Sequence, residues 1–236
     1  MSITTYHSMV GIKFYVNENF FNTWTPQMGY VLGYLYADGS LEDASYLRGK
    51  YIRVSSTDRQ TIVKIKRWLK SKHTIVKQTP WHAKGKERFL LRIGNQKLYE
   101  SLLEKGLYPN KSLTIRLPKV PQHCLAHFVR GYFDGDGCVN LYTTRGKRGQ
   151  RVIRKLTIIF TSGSFDFLLG LCDTLQRKLK LRQLKIYKGT RAYQLRYYTS
   201  DSVKLFQFMY ETYPTHTYLP RKLVTFKKFF KLRQRI

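Results

Sequence analysis

Two aspartates in matched surroundings are the residues of this sequence best placed to do chemistry. Asp38 stands in "GYLYADGS", residues 33 to 40, and Asp136 in "GYFDGDGC", residues 131 to 138, 98 positions later. Each follows what reads as a short apolar helix and precedes a glycine, so each carboxylate falls at a helix carboxyl end. The macrodipole is negative there, and a carboxylate costs about 0.3–1 kcal/mol. Repeating that placement at matched positions is poor design for stability. If the two helices pair, the carboxylates converge beside two negative helix ends and exposed carbonyls, a site for a hard divalent cation with oxygen ligands. Held beside a phosphate backbone, such a cation supports phosphodiester hydrolysis. Asp-Gly is also a common turn dipeptide; the matched pair in a duplicated context is what favours function.

The elements that must position these acids are legible as a repeat. Small residues at Gly29, Gly33 and Ala37, and again at Gly131 and Gly135, lie four apart on one helical stripe. A stripe of that kind lets two helix backbones approach closely. Downstream, "YIRVSSTDRQTIVKIKRWLK" and "KLTIIFTSGSFDFLLGLCDTLQRKLK" each read as strand, polar turn, amphipathic helix. "ERFLLRIGNQKLYESLLEKGLYPNKS" and "AYQLRYYTSDSVKLFQFMYETYPTHT" each read as strand, cap at Asn95 or Ser200, helix, then a Tyr-Pro stop. The spacing predicts an α+β protein of two pseudo-symmetric α-β-β-α-β-β-α repeats. The expected divisions are an N-terminal arm at 1–25, a first repeat at 26–117, a linker at 118–125 containing Pro118 and Pro121, and a second repeat at 126–236. Ile52 and Val54 interleave with Tyr51, Arg53 and Ser55, and Leu156, Ile158 and Phe160 with Lys155, Thr157 and Thr161. That alternation gives each sheet one oily face and one basic or polar face.

Charge says what the polar faces meet. The 236 residues carry 43 Lys plus Arg against 14 Asp plus Glu, a net +29. Such a surface seeks a polyanion. No apolar run approaches the roughly 20 residues that span a bilayer, and the first residues lack a signal-peptide core, so nucleic acid is the expected partner and a membrane is not. Three cysteines without a CxxC pair fit a reduced, intracellular protein with no zinc framework. His123 and His127 have helical metal-ligand spacing, but no acidic or cysteine ligand lies near them. Among the other acids, Asp134 is matched by Tyr36, and Asn140 and Tyr142 occupy the positions roughly matching Glu42 and Asp43, so none has a symmetric role. Glu100, Glu104, Asp173 and Glu211 read as exposed helix positions.

With these residues in view, the sequence resembles the LAGLIDADG family of homing endonucleases in its single-chain, two-repeat form. The nine-residue family motif matches "VLGYLYADG" at 31–39 and "VRGYFDGDG" at 129–137, and the order of elements fits from about residue 26 onward. The resemblance implies a compact pseudo-symmetric monomer whose curved antiparallel sheets saddle the DNA major groove, with the motif helices at the interface. It implies that Asp38 and Asp136, the last acid of each motif, bind divalent metal over the scissile phosphates. Mg²⁺ or Mn²⁺ is the implied cofactor, with Ca²⁺ supporting binding without efficient cleavage. Tyr36 replaces the motif's first acid, and Leu32 and Arg130 its small residue; neither departure touches the catalytic position. Family members also place basic residues near the metals, and Lys111 and Lys222 are the candidates here. His216 aligns with Lys111 if the two Tyr-Pro pairs are matched.

A β-ribbon fits the major groove, where each base pair displays its own pattern. The residues expected to read it are Arg53, Ser55, Lys77, Arg88, Arg92, Lys155, Thr157, Lys185, Gln194 and Arg196. The loop "TTRGKRGQR", with Arg145, Lys147, Arg148 and Arg151, lengthens the second-half hairpin and is expected to track phosphates. Because the halves differ, one chain would read an asymmetric double-stranded target. The leading expectation is a site-specific, metal-dependent DNA endonuclease leaving a staggered break. The alternative is an intron-RNA splicing cofactor or a non-cleaving DNA-binding regulator on the same fold, against which two intact acids argue.

Overall fold

The computed structural model describes residues 14–44, 49–80, 85–147, 149, 151–211 and 220–233, with backbone only at 151, 153, 154 and 220. In the first half α1 (Pro26–Asp38) leads into β1 (Gly39–Ala44) and β2 (Gly49–Ser56), then α2 (Arg59–Trp68), β3 (Ile75–Gln78), β4 (Arg88–Gly94) and α3 (Gln96–Glu104). The second half repeats the order with α4 (Gln122–Asp136), β5 (Gly137–Arg145), β6 (Arg151–Ser162), α5 (Phe165–Leu179), β7 (Ile186–Lys188), β8 (Tyr193–Tyr197) and α6 (Thr199–Phe206). A final helix, α7 (Pro220–Arg233), has no counterpart. The stretch after α3 holds instead a single 3-10 turn, Lys111–Leu113.

Local chemistry sets the helix starts. Thr25, Asp58, Asn95 and Ser164 each accept a bond from a backbone N–H of the first turn, and Pro26 occupies the first position of α1. The expected cap at Ser200 is a correction: α6 begins two residues earlier than that cap implies, with Tyr198 at the cap position and no side-chain bond. Thr199 and Ser202 turn their hydroxyls to β6 instead, each accepting from a strand N–H, of Leu156 and Ile158, at 3.1 Å. α4 likewise opens at Gln122, so the last four residues of the expected linker form its first turn. Of the N-terminal arm, residues 14–25 are described and are packed, with Val16 and Phe21 buried.

Both sheets are four-stranded and antiparallel, ordered β1-β2-β4-β3 and β5-β6-β8-β7. Their inner rows, Leu41, Ile52, Val54, Leu91 and Ile93 in one and Leu156, Ile158, Phe160 and Leu195 in the other, belong to a single hydrophobic core that spans both halves. α7 closes that core on the second half, where Phe226 lies against Phe133, Phe206 and Tyr210.

Candidate active site and nucleic-acid face

α1 and α4 cross with their backbones touching. A Cβ added to Gly33 would stand 2.0 Å from the carbonyl oxygen of Phe128, and one added to Gly131 2.0 Å from that of Tyr30. Nearer the carboxyl ends, Gly135 faces Ala37: a Cβ there would meet Ala37 Cβ at 2.4 Å and Asp38 Oδ2 at 3.3 Å. Asp38 thus reaches across the crossing to within two residues of Asp136. Each helix then passes straight into a strand through Gly39 or Gly137, which are extended rather than left-handed. The space is what demands glycine, since a Cβ at either position would press on the helix's own carbonyl at 2.5–2.6 Å.

The two carboxylates feel one another. Burial and the neighbouring Asp38 push Asp136 up to about 6. Burial also raises Asp38, opposed by its hydrogen bond with Tyr34 and by the charges of Arg88, Lys222 and Lys111. Both lysines are buried, at 6% and 5% exposure, in a sequence whose other cations overwhelmingly face solvent. Lys111 Nζ donates to the carbonyl of Tyr36 at 2.8 Å. Lys222, in the first turn of α7, donates to those of Phe133, of Asp134 at 3.0 Å and of Gly137 at 2.7 Å. Burial lowers both, Lys222 to about 8. The carbonyls expected to lie exposed at the helix ends are therefore taken by lysine at Tyr36, Phe133, Asp134 and Gly137. Because Asp134 holds the motif position of Tyr36, Lys222 rather than His216 is the counterpart of Lys111; His216 lies outside the described residues.

The motif departures have physical uses. Tyr36 donates its hydroxyl to the carbonyl of Lys105 at 2.6 Å, tying α1 to the end of α3. Arg130 is fully buried, bonding the Met209 carbonyl and His127 Nδ1, each at 2.8 Å. Burial first, then Arg130 and His123, pushes His127 down to about 4, so it is a neutral packing partner. Asp134 accepts the Tyr30 hydroxyl across the interface at 2.7 Å.

The donor set suits a hard cation. Among the described residues no group of three or more His, Cys, Asp or Glu is gathered to hold an ion. An ion between Asp38 and Asp136 would complete its shell from water and substrate phosphate, which is how Mg²⁺ is commonly held.

On the outer sheet face, register places Arg53, Ser55, Arg88 and Arg92 in neighbouring rows of the first half. Glu42, which lacked an assigned role, bridges Arg53 and Arg92, and Arg92 lies 3.5 Å over the Tyr51 ring. Arg88 donates to Ser55 Oγ at 3.1 Å. Lys77 is a correction: it pairs with Phe89 in the core-side row and forms an ion pair with Glu87, while Val76 and Gln78 face outward. In the second half Gln194 and Arg196 share the outer face and are bonded to each other. Lys185 precedes β7 in the row of Tyr187, whose ring underlies Arg196 at 5.4 Å, and Lys155 sits 4.0 Å over Tyr198. Thr157 is a second correction: on central strand β6 it is only 3% exposed, too covered to present its hydroxyl. Arg145 pairs with Arg151 at the tip of the longer hairpin, with Lys147 in the turn; Arg148 and the Arg151 side chain lie outside the description. The tyrosines beneath the cations and the i−4 tyrosine beside Asp38 escaped the sequence reading, though strand alternation and helical spacing carried their signal.

A family model described as LAGLIDADG endonuclease matches residues 129–232, the second repeat. No curated protein matches the sequence significantly. Among solved structures, the homing endonuclease I-WcaI bound to its DNA recognition sequence shares 12% identity, with 87% of this chain and 89% of that chain covered and a TM-score of 0.58. The LAGLIDADG homing endonuclease I-LtrWI bound to target DNA shares 12% over 92% and 90%, with a TM-score of 0.55. The LAGLIDADG meganuclease I-AabMI bound to uncleaved DNA shares 15% over 81% and 84%, with a TM-score of 0.51. At these identities the likeness is one of fold.

Proposed function

We propose, from the match of the second repeat to the LAGLIDADG endonuclease model and the fold shared with DNA-bound homing endonucleases, that the chain is a two-repeat LAGLIDADG protein and a site-specific endonuclease cutting both strands of an asymmetric duplex DNA target. The observation that carries this reading is the convergence of Asp38 and Asp136 at the paired helix ends with Lys111 and Lys222 buried beside them.

Asp38 and Asp136 would hold divalent metal, Mg²⁺ or Mn²⁺. When bound, the metal supplies Lewis-acid polarisation of the scissile phosphates and neutralises charge that develops on them. The chain's own residues do the rest. Lys222 spends its ammonium donors on three carbonyls, so it is fixed as a positive charge and has no lone pair with which to accept a proton. Lys111 is anchored by the Tyr36 carbonyl in the matching place. Both act as preorganised charges where negative charge grows on the phosphate, which costs no reorganisation during reaction.

The outer sheet face positions the duplex. Arg53, Arg88, Arg92, Gln194 and Arg196 offer bidentate groups to base edges, and Glu42, Ser55, Tyr51 and Tyr187 limit the freedom of the arginines in the free protein. As the two sheets carry different groups, the site read is asymmetric and one chain suffices.

The test separates binding from cutting. Asp38→Asn and Asp136→Asn are expected to abolish cleavage in Mg²⁺ while retaining salt-dependent duplex binding. Undiminished cutting by either variant would remove that carboxylate from the metal site. The second reading, a binder without cleavage, predicts instead that the wild-type protein binds duplex and never cuts it.

A further inference from the structure

A second basic surface lies on the helical side of the first repeat. α2 buries Ile62 and Ile65 against the inner face of its sheet, so its other side points away from the face bearing Arg53 and Arg92. There Arg59, Lys66, Arg67, Lys70 and Lys72 line a cleft of about 650 Å³, and none of its lining residues is acidic. Tyr15 also lines it, its segment tied down by Asn17 N–H to the Leu69 carbonyl at 2.9 Å and by Lys72 N–H to the Tyr15 carbonyl at 2.8 Å. The Tyr15 side chain is 61% exposed within this frame.

The fold does not require such a concentration of charge. α5 is the equivalent helix of the second repeat, and it mixes Asp166 and Asp173 with its cations, Asp166 pairing with Arg116. Five like charges around one cleft repel each other and destabilise the compact state. An anionic ligand relieves that. The depression is wide enough to take nucleotide units along it. A basic groove with an exposed aromatic ring is the arrangement on which bases of a single strand stack while the cations track its phosphates.

We propose that this cleft binds single-stranded nucleic acid, with phosphates on the cations of α2 and a base against Tyr15. This surface is separate from the cleavage site and does not rest on the endonuclease reading. The probes are short labelled oligouridine and oligothymidine strands and a labelled random duplex, titrated by fluorescence anisotropy over a salt series. The cleft variant Arg59→Ala/Arg67→Ala/Lys72→Ala alters exposed positions and is expected to melt as wild type does. Removing three phosphate contacts should flatten the slope of log affinity against log salt for a single strand by about 2. Tyr15→Ala should weaken the same strand about 5-fold or more. Arg53→Ala/Arg92→Ala, on the sheet face, should weaken the duplex and leave the single strand bound. Whether the uridine or thymidine strand binds more tightly identifies RNA or DNA as the source. Three results overturn the proposal: neither strand binds, the cleft variant binds both strands as wild type does, or the sheet-face variant loses them with the duplex.

Discussion

Lys111 and Lys222 donate to carbonyls at the same motif position, of Tyr36 at 2.8 Å and of Asp134 at 3.0 Å. Each ammonium thus caps the negative end of a motif helix, a favourable place for a cation, and each lies within the field of the two central carboxylates. The acids that the helix ends would otherwise repel are held in place by two lysines.

Replacing either lysine by methionine should therefore slow cleavage more than binding. Lys111→Met and Lys222→Met are each expected to lower the single-turnover cutting rate by about 100-fold or more, the scale of losing one preorganised donor. Duplex affinity should change little. Lys222→Arg should not rescue, because a planar guanidinium cannot place its donors on three converging carbonyls. An unchanged rate in either methionine variant would take that lysine out of the mechanism.

The helix crossing makes a stability prediction. Gly33→Ala and Gly131→Ala each put a methyl where a backbone carbonyl oxygen now sits 2.0 Å away. The helices must part, at a cost of about 1–3 kcal/mol or more. In a chain of this size that is about 2–12 °C in Tm, read by thermal denaturation. An unaltered Tm would mean that the backbones are not in contact.

The acids set a pH dependence. Burial first, then Asp38, raises Asp136 to about 6 from 3.8, so the folded protein takes up a proton more readily than the unfolded chain between those values. With metal chelated, stability should fall as pH rises from about 4 through 6 and stay lower above. Asp136→Asn removes that penalty and should melt above wild type at pH 7, with the gap closing near pH 4. Adding Mg²⁺ should raise the wild-type melting temperature more than that of the variant. Cleavage should decline at acid pH, as protons compete with the metal for the two carboxylates, and more Mg²⁺ should move that decline to lower pH.

Register separates the cations of the outer sheet rows, such as Arg53 and Arg196, from Lys77 in a core-side row. Arg53→Ala or Arg196→Ala should weaken duplex binding and relax preference at one base pair by about 1–3 kcal/mol. Lys77→Ala, in the core-side row, should leave that preference unchanged. Selection from a randomised duplex pool with each variant checks both.

Much of this architecture was legible because it is written twice. The stripe of Gly33, Ala37, Gly131 and Gly135, the terminal acids and the strand alternation all have short periods that a sequence displays directly. What escaped depends on distant partners. α7 was missed because no first-half copy announces it, and Glu42 because its role appears only when β1, β2 and β4 bring two arginines to it. Lys77 and Thr157 were misplaced for different reasons. A short edge strand gives too few residues to fix its parity, and alternation alone does not reveal that a small side chain on a central strand is covered.

The measurement that tests the central claim most directly is cleavage of a randomised duplex DNA pool in Mg²⁺, wild type beside Asp136→Asn, with the new ends sequenced. Staggered ends at one long asymmetric consensus, absent with the variant, are the predicted result. Salt-sensitive binding of the pool without any cut by the wild-type protein would contradict it.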